Sequence, residues 1–285
     1  MTKSSTVVPW NALPELSAVA ALLGRDAGEL RDQVAALPGG IDGVALVDGA
    51  RVCALGLFVR TDLPRTGKCS LVWLSAPDAA AAMELVADAE ARAEREGARA
   101  LVVGEKRVHG AAPLLTARGY ARVNAMVTMR RDGRRPVLPL PAGVVERTLA
   151  EVGPDGWVEI ENAAFEHLPF AVRVTRADAE RQMAAPAFDA SLMRFLVDGE
   201  GVLGMLRGVI DRDGVGEVES IGLAARARGR GLGRWLLRRC EALLDERRPR
   251  EVRLRVAESN APAISLYRAE GYEEVSRDVA WERGL

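Results

Sequence analysis

The stretch of this chain best suited to chemistry is Arg228-Gly229-Arg230-Gly231-Leu232-Gly233. It follows an apolar strand-like run, Val215 to Leu223, and leads directly into a helical pattern. Alternate glycines let main-chain N–H groups approach a ligand closely, and a helix starting there turns its positive end toward that ligand. Arg226, Arg228, Arg230 and Arg234 add full positive charges. A pyrophosphate suits such a place. The spacing is neither the Gly-x-Gly-x-x-Gly of a dinucleotide fold nor a P-loop, which requires Gly-Lys-Ser/Thr. Taken alone, the loop also fits a basic helix-capping turn on the surface.

A second cluster follows the helix. Val252-Arg-Leu-Arg-Val256 alternates like a half-buried strand, and Asn260-Ala-Pro-Ala-Ile-Ser-Leu-Tyr267 opens a short helix. Asn260 suits the N-cap, Pro262 the first turn, and Gly271 the end of that helix. Glu274 to Trp281 then reads as another strand.

Strand, Arg-x-x-Gly-x-Gly, helix, strand, then Asn-x-x-Ala-x-x-x-Tyr-x-x-x-Gly-Tyr resembles the GNAT superfamily of acyl-CoA-dependent N-acetyltransferases over about residues 143–285. The resemblance implies an α/β (α+β) fold with a mixed, mostly antiparallel sheet that splays open beside the glycine loop. It implies acetyl-CoA as co-substrate, entering that split. The pantetheine arm would pair along Ile221, Gly222 and Leu223, and the pyrophosphate would meet Arg228, Gly229, Arg230, Gly231, Leu232, Gly233 and Arg234, with Asn260 as a further cofactor-binding residue. An open strand edge suits an amide-bearing ligand on physical grounds as well. Ala225 stands where the family often places proline.

For direct transfer, an amine acceptor must lose a proton and the departing thiolate gains one, so a base and an acid are needed. Tyr267 is the candidate acid, or else a packing aromatic. Glu217 and Glu219 alternate along the strand before the loop, so both should share a face, with Val218 and Ser220 on the other. Glu219, nearer the acetyl end, is the preferred base; solvated strand charge is the plainer reading of both. His167 is a second base candidate, and Phe165 and Phe170 could line an acceptor pocket or simply belong to a core. A backbone N–H near Leu223 would meet the oxyanion.

The elements that must hold these residues are Val144 to Leu149 as first strand, Trp157 to Phe165 and Asp178 to Met183 as helices, and Ser191 to Val197 and Gly201 to Ile210 as strands. Shifting this half back by about 153 residues finds the same order again. Cys69 to Leu74 matches the strand before the loop, Ala79 to Glu96 its helix, Arg99 to Val103 the next strand, and Ala112 to Tyr120 the short helix, with Arg122 to Arg130 closing. The chemistry does not repeat: Ser75, Asp78 and Ala80 fall opposite Arg228, Gly231 and Gly233, and a carboxylate would oppose pyrophosphate. The expectation is two tandem GNAT-like domains, a degenerate one at 1–135 and a catalytic one at 143–285. The proline-rich 136–142 would link them. One intact and one degenerate half is an arrangement similar to that of mycothiol synthases; no thiol acceptor is read from it.

The 285 residues suffice for two ordinary domains, and a net charge of −1 gives no global field for nucleic acid or membrane. Cys53, Cys69 and Cys240 are scattered, and His109 and His167 lie far apart, so neither a disulfide framework nor a metal site is expected. No apolar run approaches a membrane span, and a cytoplasmic protein is expected. The expected activity is acetyl transfer from acetyl-CoA to a primary amine of a small molecule or peptide. A non-catalytic acyl-CoA sensor is the alternative.

Overall fold

The computed structural model describes residues 5–13, 40–49, 51–61, 63–76, 78–107, 110–133, 135–166, 173–185, 188–211 and 213–285. His167 and Phe170 lie outside them. The chain forms two compact units, Met1–Met126 with Arg277–Leu285, and Val127–Ser276. This division differs from a cut at 135/143: the end of the chain is built into the first unit, and residues from Val127 onward into the second.

In the first unit, β1 (Ser5–Pro9), β2 (Ile41–Asp48), β3 (Arg51–Val59) and β4 (Lys68–Ser75) pair antiparallel in sequence order. The helix α1 (Ala79–Arg95) then returns the chain so that β5 (Ala100–Arg107) lies parallel to β4. A short α2 (Ala111–Ala117) leads to β6 (Ala121–Arg131). The strand beside β5 is not β6 but the last of the chain, β12 (Glu273–Gly284), through Val279 to Gly284. The alanines of α1 allow close approach to the sheet: Ala82, Leu85, Val86, Ala89 and Ala93 are buried against Leu71, Leu74, Leu101 and Val103. Cys69 belongs to this core and Cys240 to that of the second unit.

The second unit orders its strands β6-β11-β10-β9-β8-β7. They are β7 (Val145–Arg147), β8 (Met193–Asp198), β9 (Gly201–Ile210), β10 (Gly216–Leu223) and β11 (Val252–Ala257). The helices are α3 (Leu149–Phe165), α4 (Arg176–Met183), α5 (Leu232–Asp245) and α6 (Ala261–Ala269). β7 is shorter than the sequence suggests. Thr148 and Glu151 close a capping box, Glu151 Oε2 accepting from Thr148 N at 2.7 Å, so the helix starts at Leu149 and bends at Gly153 (φ 74°) before Trp157. One stripe of α5 carries Leu232, Trp235, Leu236, Leu237, Cys240, Leu243 and Leu244, all buried; each buried leucine contributes roughly 2 kcal/mol.

Each unit carries the same Tyr–Glu–Arg triad around a buried glutamate. In the second, Tyr272 donates to Glu241 Oε1 (2.7 Å) and Arg131 of β6 forks onto both oxygens (3.1 and 2.7 Å). In the first, Tyr120 donates to Glu90 Oε1 (3.0 Å) and Arg283 of β12 reaches the same oxygen (2.8 Å). The tyrosine follows a glycine in both, the glutamate sits on the long helix in both, and the arginine lies on the strand that completes each sheet.

Candidate active site

The site begins where two parallel strands part. β10 and β11 pair at Gly216–Val252, Glu217–Arg253 and Val218–Leu254, and there the ladder stops. On its other side β10 stays paired with β9 to Leu223–Gly204, and Ala224 N donates to Leu203 O (2.9 Å). Antiparallel pairs alternate between bonded and non-bonded. Since Ala224–Leu203 is bonded, Leu223 and Ile221 point their N–H and C=O groups away from β9, into the split. Gly222 serves packing: a Cβ there would stand 2.7 Å from the Cβ of Ala164 on α3.

At the mouth of the split the ladder with β9 shifts between Val218 and Ser220, so Glu219 is the extra residue of a bulge. This corrects the simple alternation. Ser220 pairs with Arg207, and the parity of the strand flips after Glu219. Ile221 and Leu223 therefore pack with the core beneath α5, while Glu219 turns to Arg207, its Oε2 2.9 Å from Nε. Glu217 pairs instead with Arg253, 3.3 Å away.

The glycine loop leads into α5 through Gly231, at φ 77° with no side-chain cap. Gly229 is also left-handed (φ 75°), and a Cβ at either position would meet nothing within 4 Å. The start of α5 therefore has no side-chain cap and has room beside both glycines, as an anion there requires. Leu232 is buried, so it offers only its backbone. The arginines divide. Arg226 is tied to Asp198 (2.8 Å) and Arg234 to the buried Glu270 (2.7 Å). Arg228 donates to the carbonyls of Leu223 (3.4 Å) and Ala164 (3.3 Å). Arg230 is exposed and makes no ion pair among the described residues.

Asn260 caps α6, its Oδ1 accepting from Ala263 N at 3.3 Å, which leaves its side-chain NH₂ to donate elsewhere. The ring of Tyr267 is buried, tilted against Tyr272 with centroids 5.9 Å apart. Among the described residues its hydroxyl makes no hydrogen bond, yet no buried polar side-chain atom is left unsatisfied, so the oxygen reaches solvent. Burial, with a smaller contribution from Cys240, pushes its pKa up to about 12.

The face carrying Glu219 holds residues that sequence reasoning missed. Arg207 of β9 packs over the rings of Trp157 (5.7 Å) and Phe188 (5.3 Å), which stack on each other, and donates to Gln182 Oε1 at 2.7 Å. Glu161 of α3 accepts from Trp157 Nε1 at 3.2 Å. Burial raises the pKa of both Glu161 and Glu219; Arg207 opposes the rise in each. The Glu161-Asn162-Ala-Ala-Phe165 segment marked the region in the sequence, but no spacing there points to a residue on β9.

The model of the acetyltransferase (GNAT) family matches residues 156–272. A mycothiol acetyltransferase of Acidothermus cellulolyticus is 31% identical over 265 residues, 82% of this chain and 81% of that one. The chain belongs to the GNAT acetyltransferase family. Another relative, the mycothiol acetyltransferase of Clavibacter michiganensis subsp. michiganensis, is 33% identical over 193 residues; the match spans 68% of this chain but only 60% of that relative. Among solved structures, a GCN5-related N-acetyltransferase from Sphaerobacter thermophilus superposes with a TM-score of 0.80 at 20% identity, covering 98% of this chain and 95% of that one. A tandem GNAT protein from the clavulanic acid biosynthesis pathway gives 0.73 at 18% identity, with 98% of each chain covered. These two show the fold.

The GNAT match lies wholly in the second unit, where the split and the uncapped helix are. In the first unit the GNAT-like order of elements stands without either feature. Among the described residues no helix is long and apolar enough to cross a membrane, and no cluster of ligating side chains could hold a metal ion.

Proposed function

We propose that the second unit transfers the acetyl group of acetyl-CoA directly to the primary amine of a small molecule. The observation that carries this reading is the parting of β10 and β11 after Val218, with the backbone groups of Ile221 and Leu223 turned into the gap beside the uncapped start of α5. The pantetheine amides pair with the backbone of Ile221 and the carbonyl of Leu223, whose N–H is kept for the thioester, and Gly222 keeps the strand close to α3. The pyrophosphate lies on the amides from Gly229 to Arg234, with Arg228, Arg230 and the Asn260 side chain beside it. Open space at Gly229 and Gly231 fits that group, since any side chain would enter its path.

Glu219 takes the proton of the attacking amine, and a pKa raised by burial makes it a stronger base than an ordinary carboxylate. The amine nitrogen bonds to the carbonyl carbon, and the N–H of Leu223 meets the oxyanion. The C–S bond then breaks and Tyr267 gives its proton to the leaving thiolate. A phenol with its pKa pushed up to about 12 stays protonated until that moment. A small-molecule amine is favoured over a peptide because the curated relatives are named for mycothiol. Tyr267→Phe should lower kcat roughly 10- to 1,000-fold while acetyl-CoA binding survives. CoA release across a panel of amines, with calorimetry for the donor, checks this. Unchanged turnover, or no release from the wild type with any amine, would overturn the reading.

A further inference from the structure

A bulge frees Glu219 from the ladder but does not aim it. Its carboxylate is part-buried, the side chain 40% exposed, and at that exposure its direction is set by its neighbours or not at all. Arg207 is the group that can hold it, because its own head is already fixed. One edge donates to Gln182 of α4, the flat face lies over Trp157 and Phe188, and Nε meets Glu219. A guanidinium confined this way loses little further freedom on binding a carboxylate, and its planar fork fixes direction as well as distance. Trp157 links the other carboxylate to the same group, for its face carries Arg207 while its Nε1 donates to Glu161. Glu161 itself makes no ion pair within 4.0 Å among the described residues, although it is half-buried.

We propose that Arg207 is the positioning residue for the base, and that Glu161 is its charge counterweight, so that Glu219, Arg207 and Glu161 act as one coupled set on the acceptor face. This rests on the acetyl-transfer reading for its catalytic meaning, though not for its electrostatics. Two carboxylates around one guanidinium leave a single negative charge, which suits an acceptor arriving as an ammonium ion. The other charges facing Glu219 are Glu217 on its own strand, already paired with Arg253 of β11, which also bonds Asp211. Behind Glu219, on α5, lies Cys240, whose thiol burial keeps protonated. Burial pushes the Glu219 carboxyl up, Arg207 pulls it down, and Glu217 pushes it up again.

The two neighbours therefore have opposite effects, and that opposition is the test. Side-chain carboxyl ¹³C NMR of the full-length protein, with Glu219 assigned through Glu219→Gln, follows its titration without any acceptor. Arg207→Gln should raise its apparent pKa by about one unit, since a neighbouring cation is lost, and Glu161→Gln should lower it by some tenths, since an anion is lost. Arg207→Lys keeps the charge but not the fork. It should leave the titration within a few tenths of the wild type while lowering kcat for CoA release about tenfold at an unchanged KM for acetyl-CoA. A merely structural arginine would not produce opposed shifts. Identical titrations in all variants, or shifts of one sign, would overturn the proposal. If Arg207→Gln does not fold, a Glu219 titration left unchanged or raised by Glu161→Gln, or a wild-type kcat in Arg207→Lys, overturns the proposal instead. Absence of CoA release from the wild type would remove the catalytic role and leave the measured coupling standing, so the two readings fail separately.

Discussion

The two units run through the same strand, helix, strand, and differ at the junction that counts. In the first, β4 and β5 pair from Lys68–Ala100 to Leu71–Val103, shift register, and pair again at Leu74–Glu105 and Ser75–Arg107. In the second, the corresponding pair, β10 and β11, separates after three residues. The helix that follows β4 is capped by Asp78, whose Oδ1 accepts from Ala81 N at 2.8 Å. The helix that follows β10 starts on Gly231, with no side chain over its amides. In the first unit a carboxylate stands at the helix start where the proposed site would hold a phosphate, and it would repel one. A GNAT-like order of elements therefore does not make a site. The site proposed in the second unit uses a ladder that ends early and a helix start left open.

The two triads sharpen the comparison, because here the same residues stand in different surroundings. Glu241 is bonded by Arg131, with Arg238 and Glu270 nearby, and burial keeps its pKa raised. At Glu90 burial also pushes upward, but the hydrogen bonds of Arg118 and Tyr120 and the charges of Arg118 and Arg283 outweigh it, and the pKa is lowered.

The largest expected effect breaks the triad of the second unit. The Arg131 and Glu241 side chains are 7% and 4% exposed, and Arg131→Met should cost about 3–5 kcal/mol in denaturant unfolding by stranding a buried carboxylate. Arg283→Met should cost clearly less, since Arg118 still faces Glu90. Equal losses would mean that the two triads are alike in spite of their surroundings. Next, Gly231→Val should weaken acetyl-CoA binding by at least about 100-fold in calorimetry, because it puts a branched side chain at positive φ in the anion's path. In that background Asp78→Ala should restore no binding, since β4 and β5 remain paired. Asp78→Ala alone should lower stability by only about 1 kcal/mol, as for a lost N-cap.

The smallest effect concerns pH. A carboxylate with a lowered folded pKa stabilises the fold above its unfolded pKa, and loses that contribution as pH falls through the folded one. A raised pKa gives the opposite sign: its contribution is fullest below the unfolded pKa and fades as pH rises. The stability lost in Glu90→Gln should therefore shrink on acidification from about pH 5, near ordinary carboxylate values, whereas that lost in Glu241→Gln should not. Parallel pH dependences would contradict the contrast between the two.

The strand before the loop, the glycine loop and the Asn260 helix were legible because local pattern alone builds them. Apolar alternation, left-handed glycines and a capping asparagine act within a few residues of themselves. The repeat was legible for the same reason. The bulge at Glu219 was not, since a strand's parity is set by its partner's register, and reading straight alternation placed Ser220 on the wrong face. Arg207 was invisible because nothing within β9 points toward β10.

The sequence by itself determined the order of elements and the glycine loop, and offered Glu219 and Tyr267 as candidate base and acid, all from neighbours along the chain. Only the tertiary structure decided where β10 leaves β11, which arginines are spent on carboxylates, and which strand completes each sheet. Those outcomes depend on hydrogen bonds and charges between residues far apart in sequence, and such pairings leave no periodic trace in the chain.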